Sequence, residues 1–437
     1  MTRESRKPKT NWHDVKHAID TKIHKDQSLF KEPLTIHLVT PMFGGGPQSN
    51  SIDKDRPIRE NAIRGHLRFW WRATRGAACK NANELFQREA EIFGHTEQAS
   101  MIQLITHCEK EEVKKNSKVF LKRSKEYHSF PRYVLSNIEE KTPYLMKAQF
   151  SLNIRLSKKT TQFELIKKEV EAALWAWINF GGLGSRTRRG CGSLYCKQFS
   201  PHKNMTNSQL EKWFEQKLLE YDIQLPESSR EWPTISREFR VQAFPSPIIS
   251  SWRSVIQTYQ TFRRKSNPNK KIGRSCWPEA DTIRLLTGKA QSGHGIPYPK
   301  DKPVDYKAFP RAQFGLPIQF RFAPKDKGKD PDPTTLLPKG KDRMASPLIL
   351  KPLAVNPKES VGMMMVLQQP PIEALSLLGN GRSLPDVTDE KSIYPTATYS
   401  NNPLQDESGR THSSAIQAFL HSKEVHTFCQ TNYKNKN

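Results

Sequence analysis

Cysteine is scarce in this 437-residue chain: Cys79, Cys108, Cys191, Cys196, Cys276 and Cys429 are all there is, and no two form a CxxC pair. So thin a set excludes a disulfide framework and fits a reduced, cytoplasmic protein. Long apolar runs are missing too. Nothing approaches the ~20 residues that span a bilayer, so no membrane partner is expected. The basic start, MTRESRKPKTNWHD, leads into no apolar stretch and does not read as a secretory signal. The thirteen histidines contain no HExxH, and no Cys/His cluster has zinc-site spacing. Neither a metal nor another cofactor is expected. Apolar residues make up 35% of the chain, below the roughly 45–50% of globular chains, a figure that also counts glycine. Nine Trp and 21 Phe nonetheless supply enough aromatic mass for real cores, which excludes wholesale disorder.

Acidic residues are the last shortage. Against 70 Lys and Arg stand 44 Asp and Glu, a formal charge of +26. A field of one sign over so large a surface points to a polyanion, and nucleic acid is the commonest such target. Charge alone does not separate RNA from DNA. At roughly 150 residues per domain, the length suggests two or three domains.

The first half has a legible order. Residues 33–40 (PLTIHLVT) alternate as a strand, followed by a glycine-rich loop through Gly44–Gly46 to Pro57 and a helix over 59–76. Strands are predicted at 101–107 and 148–156, separated by the charged segment 109–145. Residues 163–180 form the clearest helix, stopped by Gly181 and Gly182, and 191–199 can be one more strand. This is β-α-β-β-α-β, the ferredoxin-like pattern, shared with RNA-recognition domains although their RNP1 sequence is absent. In the second half, helices are expected at 206–221, 279–288 and near 413–423. Strands are expected at 237–244, 316–323, 347–354 and 361–368. The Pro- and Lys-rich stretch 324–343 reads as a loop and 379–411 as a mobile polar segment. The predicted fold class is α+β, with two ferredoxin-like domains carrying long insertions. A basic arm over 1–30 precedes them, and the two domains run over 31–203 and 204–437.

Two basic constellations stand out. On the helix over 59–76, Arg64, Arg68, Arg72 and Arg75 step by four, four and three and share one stripe, preceded by Arg56 and Arg59. Guanidiniums so arranged suit phosphate, to which each donates two parallel hydrogen bonds. The alternative is a face neutralised by carboxylates such as Glu84 and Glu91. The second is GGLGSRTRRGCGS, residues 181–193, with five glycines in thirteen residues. Glycines let a backbone approach a ligand and present its N–H groups. Gly182, Gly184, Ser185, Arg186, Thr187, Arg188, Arg189 and Gly190 thus read as a cradle for a nucleic-acid backbone. It is no Walker loop, because no GK[ST] follows and it trails a helix. The run from Arg263 and Arg264 to Arg274 holds no acid and reads as an arm on nucleic acid or a solvated loop. The Arg- and aromatic-rich segments 273–284 and 308–322 can stack on bases or pin loops to their own domain.

Catalytic arrangements are weak. His37 on a strand and His66 on a helix are more often structural than general bases. Asp53 and Asp55, alternating with Lys54 and Arg56, read more simply as local charge balance than as catalysts.

These motifs together resemble a known family. PMFGGG (41–46), RPIRENAIRGHLRFWWRA (56–73) and EIFG (91–94) look like the N-terminal signature of RAMP proteins of CRISPR systems. GGLGSRTRRGCGSL is similar to the RAMP glycine loop. GRSCWPEADTIR (273–284), FPRAQFGLPIQF (309–320) and DRMASPLILKP (342–352) resemble motifs of the subunit-one family of Cmr (type III-B) RNA-targeting complexes. The resemblance covers most of 33–367. It implies two ferredoxin-like domains and partners in crRNA, target RNA and other RAMP subunits of the Cmr complex. It also implies a place near the crRNA 3′ end and a non-catalytic role, since the target cut in that family belongs to a different, repeated subunit. The rival is a RAMP endoribonuclease that trims CRISPR precursor RNA with a histidine such as His37 or His66.

Overall fold

The computed structural model describes residues 28–46, 51–53, 55–108, 130–135, 143–157, 160–266, 275–289, 307–322, 330–379, 382–396 and 402–430. Arg274, the arm before Ser28 and most of 109–145 lie outside these residues.

The alternating segment LTIHL forms β1 (Leu34–Leu38), with Leu34, Ile36 and Leu38 buried. The chain continues through β2 (Met42–Phe43), α1 (Glu60–Ala73) and α2 (Ala82–Phe93) to β3 (Ile102–Cys108). A short helix α3 (Arg132–Leu135), β4 (Tyr144–Leu145), β5 (Ala148–Leu156), α4 (Phe163–Phe180) and β6 (Leu194–Tyr195) follow. In β5, AQFSLNIRL buries every second side chain, as a strand covered on one face requires. The sheet runs β3-β5-β1-β6, with every pairing antiparallel. With α1 and α4 as crossovers, that is the ferredoxin-like arrangement. The last strand is shorter than predicted because Phe199 and Ser200 both donate their N–H to the Cys196 carbonyl, turning the chain out of the sheet.

Helix α5 (Asn207–Glu220) begins at Thr206, whose side chain and Gln209 form a reciprocal capping box. Then come β7 (Thr234–Val241), β8 (Ser246–Pro247), α6 (Ile248–Arg263), α7 (Glu279–Thr287), β9 (Ile318–Phe320) and β10 (Thr334–Pro338). Next are β11 (Leu348–Ala354), β12 (Glu359–Gln368), β13 (Leu375–Gly379), β14 (Arg382–Val387) and α8 (Glu390–Ile393), ahead of α9 (Ala415–Leu420) and α10 (Lys423–Gln430). A second sheet, β11-β12-β7, repeats the order β3-β5-β1 of the first, with α6 after its first strand. Among the described residues no fourth strand lies beside β7, so this ferredoxin-like unit is incomplete. Pro352 sits on the edge strand β11, where its missing N–H costs no ladder bond.

Helix α6 escaped the sequence reading. IISSWRSVIQTYQTFR is rich in Ser, Thr and β-branched residues, which favour a helix weakly. What fixes it is packing: Trp252, Val255, Ile256, Tyr259 and Phe262 are all buried on one face. The third sheet, β14-β13-β10-β9, corrects two further expectations. The stretch 324–343 contains β10, and 379–411 contains β14 and α8. TTLLP is too short to show a period, and its register comes from distant partners, Leu336 opposite Leu377 and Ile318.

Both faces of the second sheet are buried. Ile349, Leu353, Met363 and Met365 join the core of the first unit, with Trp175 and Trp177 of α4. Leu348, Leu350 and Met364 face α6, α9 and α10. One apolar core therefore crosses the boundary expected at 203/204.

Candidate nucleic-acid interface

The arginines of α1 and Arg75 in the turn after it find partners inside the fold. Arg64 donates to the carbonyls of Phe93 and Ile102, at 3.1 and 3.2 Å. Arg68 and Arg72 both bind the buried carboxylate of Glu89, the latter at 2.9 Å. Arg75 binds Glu169 at 2.9 Å and Asp222 at 2.8 Å. Glu169 also accepts from the Trp71 indole at 2.6 Å, tying α1 to α4. The neutralising carboxylates are therefore Glu89 and Glu169, not Glu84 and Glu91. Where a phosphate role is expected of Arg64, Arg68, Arg72 and Arg75, the structure gives all four partners within the fold, on α2, β3, α4 and Asp222.

The glycine loop splits into two groups. Arg188 donates to the Ser346 carbonyl and lies 5.6 Å from the Phe69 ring. Arg189 donates to Leu348 O at 2.9 Å, Ser346 Oγ at 3.2 Å and Phe314 O at 3.3 Å. Ser346 precedes and Leu348 begins β11, so two arginines sit at the start of a strand edge that is unpaired among the described residues. Burial pulls Arg188 down to about 10, which leaves it cationic at neutral pH. Gly190, at φ +84°, would drive a Cβ to within 2.4 Å of the Trp252 indole nitrogen, which itself donates to Arg189 O at 2.7 Å. Gly182 is likewise packed against the Gly192 carbonyl. Arg188, Arg189 and Gly190, expected in an RNA cradle, thus weld the two halves of the chain, and Gly182 packs within the loop itself.

The other group meets the glycine loop that follows β1. Ser185 donates its N–H to Phe43 O at 2.6 Å. Gly184, at φ +77°, would place a Cβ 2.5 Å from that same oxygen, and one on Gly45 would come to 4.0 Å from Gly184 Cα. Arg59 reaches back to the Gly45 carbonyl. Around these abutting loops lie the exposed Arg56 and the half-buried Arg59, Ser185, Arg186 and Thr187. Arg186 holds a left-handed backbone at φ 60° and donates to Val134 O at 2.6 Å, linking the loop to α3.

The catalytic candidates do not assemble. Asp53 Oδ1 accepts the N–H groups of Asp55 and Arg56 at 3.0 and 2.9 Å, and the Arg56 bond holds its carboxyl below the ordinary value. His66 stacks on Trp177 with ring centroids 6.2 Å apart, and burial depresses it to about 4. His37 lies 5.9 Å from the Tyr195 ring on the sheet.

In the second half, pinning prevails over stacking on bases. Trp277 is fully buried, and Arg311 both binds the buried Glu279 at 3.0 Å and lies over the Trp277 ring. Arg284 binds Asp281 and Asp330. Arg263, expected in an RNA arm, donates to the Tyr259 hydroxyl at 2.9 Å and lies between aromatic rings. Arg264 differs. It is exposed and sits 5.0 Å from the Tyr133 ring, at a groove of about 780 Å³ between α3 and α6. Arg132, Tyr133 and Arg253 also line this groove; none of them stands out in the sequence, since α6 carries Arg253 and is not expected, and Arg132 and Tyr133 fall in the charged segment 109–145.

Residues 35–195 match the family model described as the RAMP superfamily. Over 191 residues the chain is 28% identical to the CRISPR system Cmr subunit Cmr1-2 of Pyrococcus furiosus, covering 38% of this chain and 95% of that protein. Over 139 residues it is 27% identical to Cmr subunit Cmr1-1 of the same organism, covering 31% of this chain and only 40% of that relative. Among solved structures, the apo crystal structure of Pyrococcus furiosus Cmr1 matches with a TM-score of 0.41 and 16% identity, over 78% of this chain and 88% of the other. A type III-B Cmr-beta complex bound to cognate target RNA contains a chain that matches with a TM-score of 0.45 and 15% identity, over 77% and 95%. The chain is similar to RAMP-superfamily proteins of CRISPR systems, and the curated relatives it matches are Cmr subunits.

Proposed function

We propose that this chain, most like subunit one of the Cmr complexes, is a non-catalytic RNA-binding subunit of a type III-B CRISPR effector complex. In that complex it holds the 3′ region of the crRNA and its duplex with target RNA, beside other RAMP subunits, in antiviral defence. The observation that carries this reading is the juxtaposition of two glycine-rich loops, 44–46 and 184–187, on the stretch that matches the RAMP model. Glycines bring main chain close to whatever lies against them, and Arg56, Arg59 and Arg186 supply positive charge at the rim. Contacts of this kind bind a sugar–phosphate backbone without reading bases, which suits a guide-loaded complex that must accept any spacer.

The test is binding of the full chain to labelled RNAs of unrelated sequence across a salt series, with gel analysis for products. Similar affinities, a steep salt dependence and intact RNA are expected. A preference for one repeat sequence that persists at high salt, with cleavage of that RNA, would replace this reading with a processing nuclease.

A further inference from the structure

Helices α1 and α4 close one face of the first sheet, where Leu34, Ile36, Leu104, Leu152 and Ile154 join their core. The other face looks outward. Thr35, Gln103 and His107 are exposed there, and every second residue of β5 from Gln149 to Arg155 is half-buried. The described outward positions of the four strands hold three rings (His37, His107 and Tyr195), one guanidinium (Arg155) and no carboxylate. Most of the others carry amides or hydroxyls. His37 stands directly opposite Tyr195 across β1 and β6, with ring centroids 5.9 Å apart. The register sets Gln149 on the other side of His37, and Arg155 lies about 20 Å further along β5. The neighbouring pair, Leu38 with Leu194, marks the end of the sheet at which both glycine loops join it. One loop follows β1 and the other runs directly into β6. Lys197 is exposed two residues beyond Tyr195, and the carbonyl of the exposed Lys358 accepts from Ile248, which packs with Tyr195. Glu359 beside it is bound by Lys203 at 2.7 Å.

We infer that this sheet face receives an unpaired stretch of the bound RNA, with one base against Tyr195 beside His37 and the strand running along β5 to a phosphate on Arg155. The inference rests on the RNA-binding reading above. It gives the glycine loops, which suit the sugar–phosphate backbone, an adjoining surface that suits bases. A face without an acid, with Lys197 and Lys358 at one end and Arg155 at the other, is complementary in charge to a polyanion. Unstacked bases need a flat apolar plane on one side and hydrogen-bonding groups around their edges. Tyr195 supplies the plane. Gln149, Ser151 and Asn153 both donate and accept, as ribose and base edges require. Stacking on a ring is indifferent to which base arrives, so the face suits a chain that must accept any spacer. A strand held by the two glycine loops passes onto the face at its Tyr195 end, because both loops meet the sheet there.

The experiment uses the full chain and a 5′-fluorescein-labelled 12-nucleotide oligouridine, read by anisotropy at several salt concentrations. Arg155→Ala should weaken binding and flatten the salt slope by roughly 0.7 log units per log salt, as for one lost single-strand contact. Tyr195→Leu should weaken binding about tenfold with the slope unchanged, and Tyr195→Phe, which keeps the ring, should bind as wild type does. Leucine at 195 also alters packing against Val39, Ile248 and Ala354, so a second measurement is made on wild type alone. A 4-thiouridine version of the oligonucleotide, irradiated in the complex, should crosslink to peptides that hold Tyr195 and β5. If wild type binds, Arg155→Ala and Tyr195→Leu keep its affinity and slope, and crosslinks fall only within 44–59 and 184–187, the sheet face takes no bases, while the RNA reading of the chain stands. If wild type fails to bind at any salt, both readings fall. If Arg155→Ala keeps the oligonucleotide and instead loses binding to a labelled deca-glutamate peptide, the face docks an acidic protein segment and the inference is overturned.

Discussion

Arg189 donates through Nη1 to the main-chain oxygen of Leu348, 2.9 Å away, while its guanidinium lies 4.8 Å from the centroid of the Tyr259 ring. One side chain from the loop after α4 thus closes the edge of β11 and packs on α6. In a chain of net charge +26, this cation is spent on the fold.

Arg189→Ala should accordingly destabilise the protein without touching RNA. It leaves the Leu348 carbonyl with only the Ser346 hydroxyl, at 3.3 Å, among its described donors and removes a cation held over an aromatic ring. A hydrogen bond to a charged group contributes about 1.5–3 kcal/mol, so a loss of about 2–4 kcal/mol is expected once packing is included. Urea titration should show a lower midpoint at an unchanged m-value. The RNA salt slope of the surviving folded protein should equal that of wild type. A flattened slope at wild-type stability would return Arg189 to the RNA surface.

The first sheet, α1 and α4 were legible because their periods are local. Leu34, Ile36 and Leu38 alternate, and FELIKKEVEAALWAWINF needs no tertiary context to read as a helix. α6 and β10 were not, because α6 is set by aromatic packing and β10 by pairing with β9 and β13. The candidate site was legible as residue types and not as assignments. SRTRR announces positive charge, but a sequence does not say that β11 is an edge strand among the described residues and that Arg188 and Arg189 bond main-chain groups at its start. Nor does the stripe of arginines on α1 disclose that Glu89 and Glu169 arrive from two other helices.

Lys351 predicts a pH dependence of stability. It is fully buried on β11 and donates Nζ to Gly181 O at 2.7 Å, capping the C-terminus of α4 from the other half of the chain. Burial depresses it from 10.5 to about 7. Between those values the unfolded chain holds a proton that the folded one has lost, so stability rises with pH through that window. The slope is at most about 1.4 kcal/mol per pH unit, and below pH 7 the full penalty of the buried charge remains. Chemical denaturation between pH 7 and 8.5 is the measurement. Above that range the thiols of Cys191 and Cys429, pushed up to about 12 and 11, act in the opposite direction. Lys351→Met should remove most of the rise, and a variant that keeps it would locate the titrating group elsewhere.

His66 predicts the acid limb. Its folded value of about 4 lies below the ordinary 6.5, so the unfolded chain takes up a proton first as pH falls. The stability present above pH 6.5 is lost progressively between 6.5 and 4. His66→Gln should flatten this limb while leaving the acid behaviour of the carboxylates in place. The same variant should bind RNA as wild type does. If it abolished an RNA cut, His66 would be a catalyst, and its place against Trp177 would have been misread.

Arg56 and Arg59 separate the RNA surface from the weld most sharply. Arg56 is exposed, and Arg59 reaches only the Gly45 carbonyl at the rim of the abutting loops. Replacing both by Ala removes no buried carboxylate's partner, so the melting temperature should stay within about a degree or two of wild type, as for most surface substitutions. Binding to single-stranded RNA should weaken, with the salt slope flattened by about 1.4 log units per log salt if both contact phosphate. Arg188→Ala combined with Arg189→Ala should give the opposite pattern, an early melt and an unchanged slope. Anisotropy titrations at four salt concentrations and thermal melts on the same preparations decide between them. A double variant at Arg56 and Arg59 that melts normally and keeps the full slope would remove the glycine loops from the RNA path.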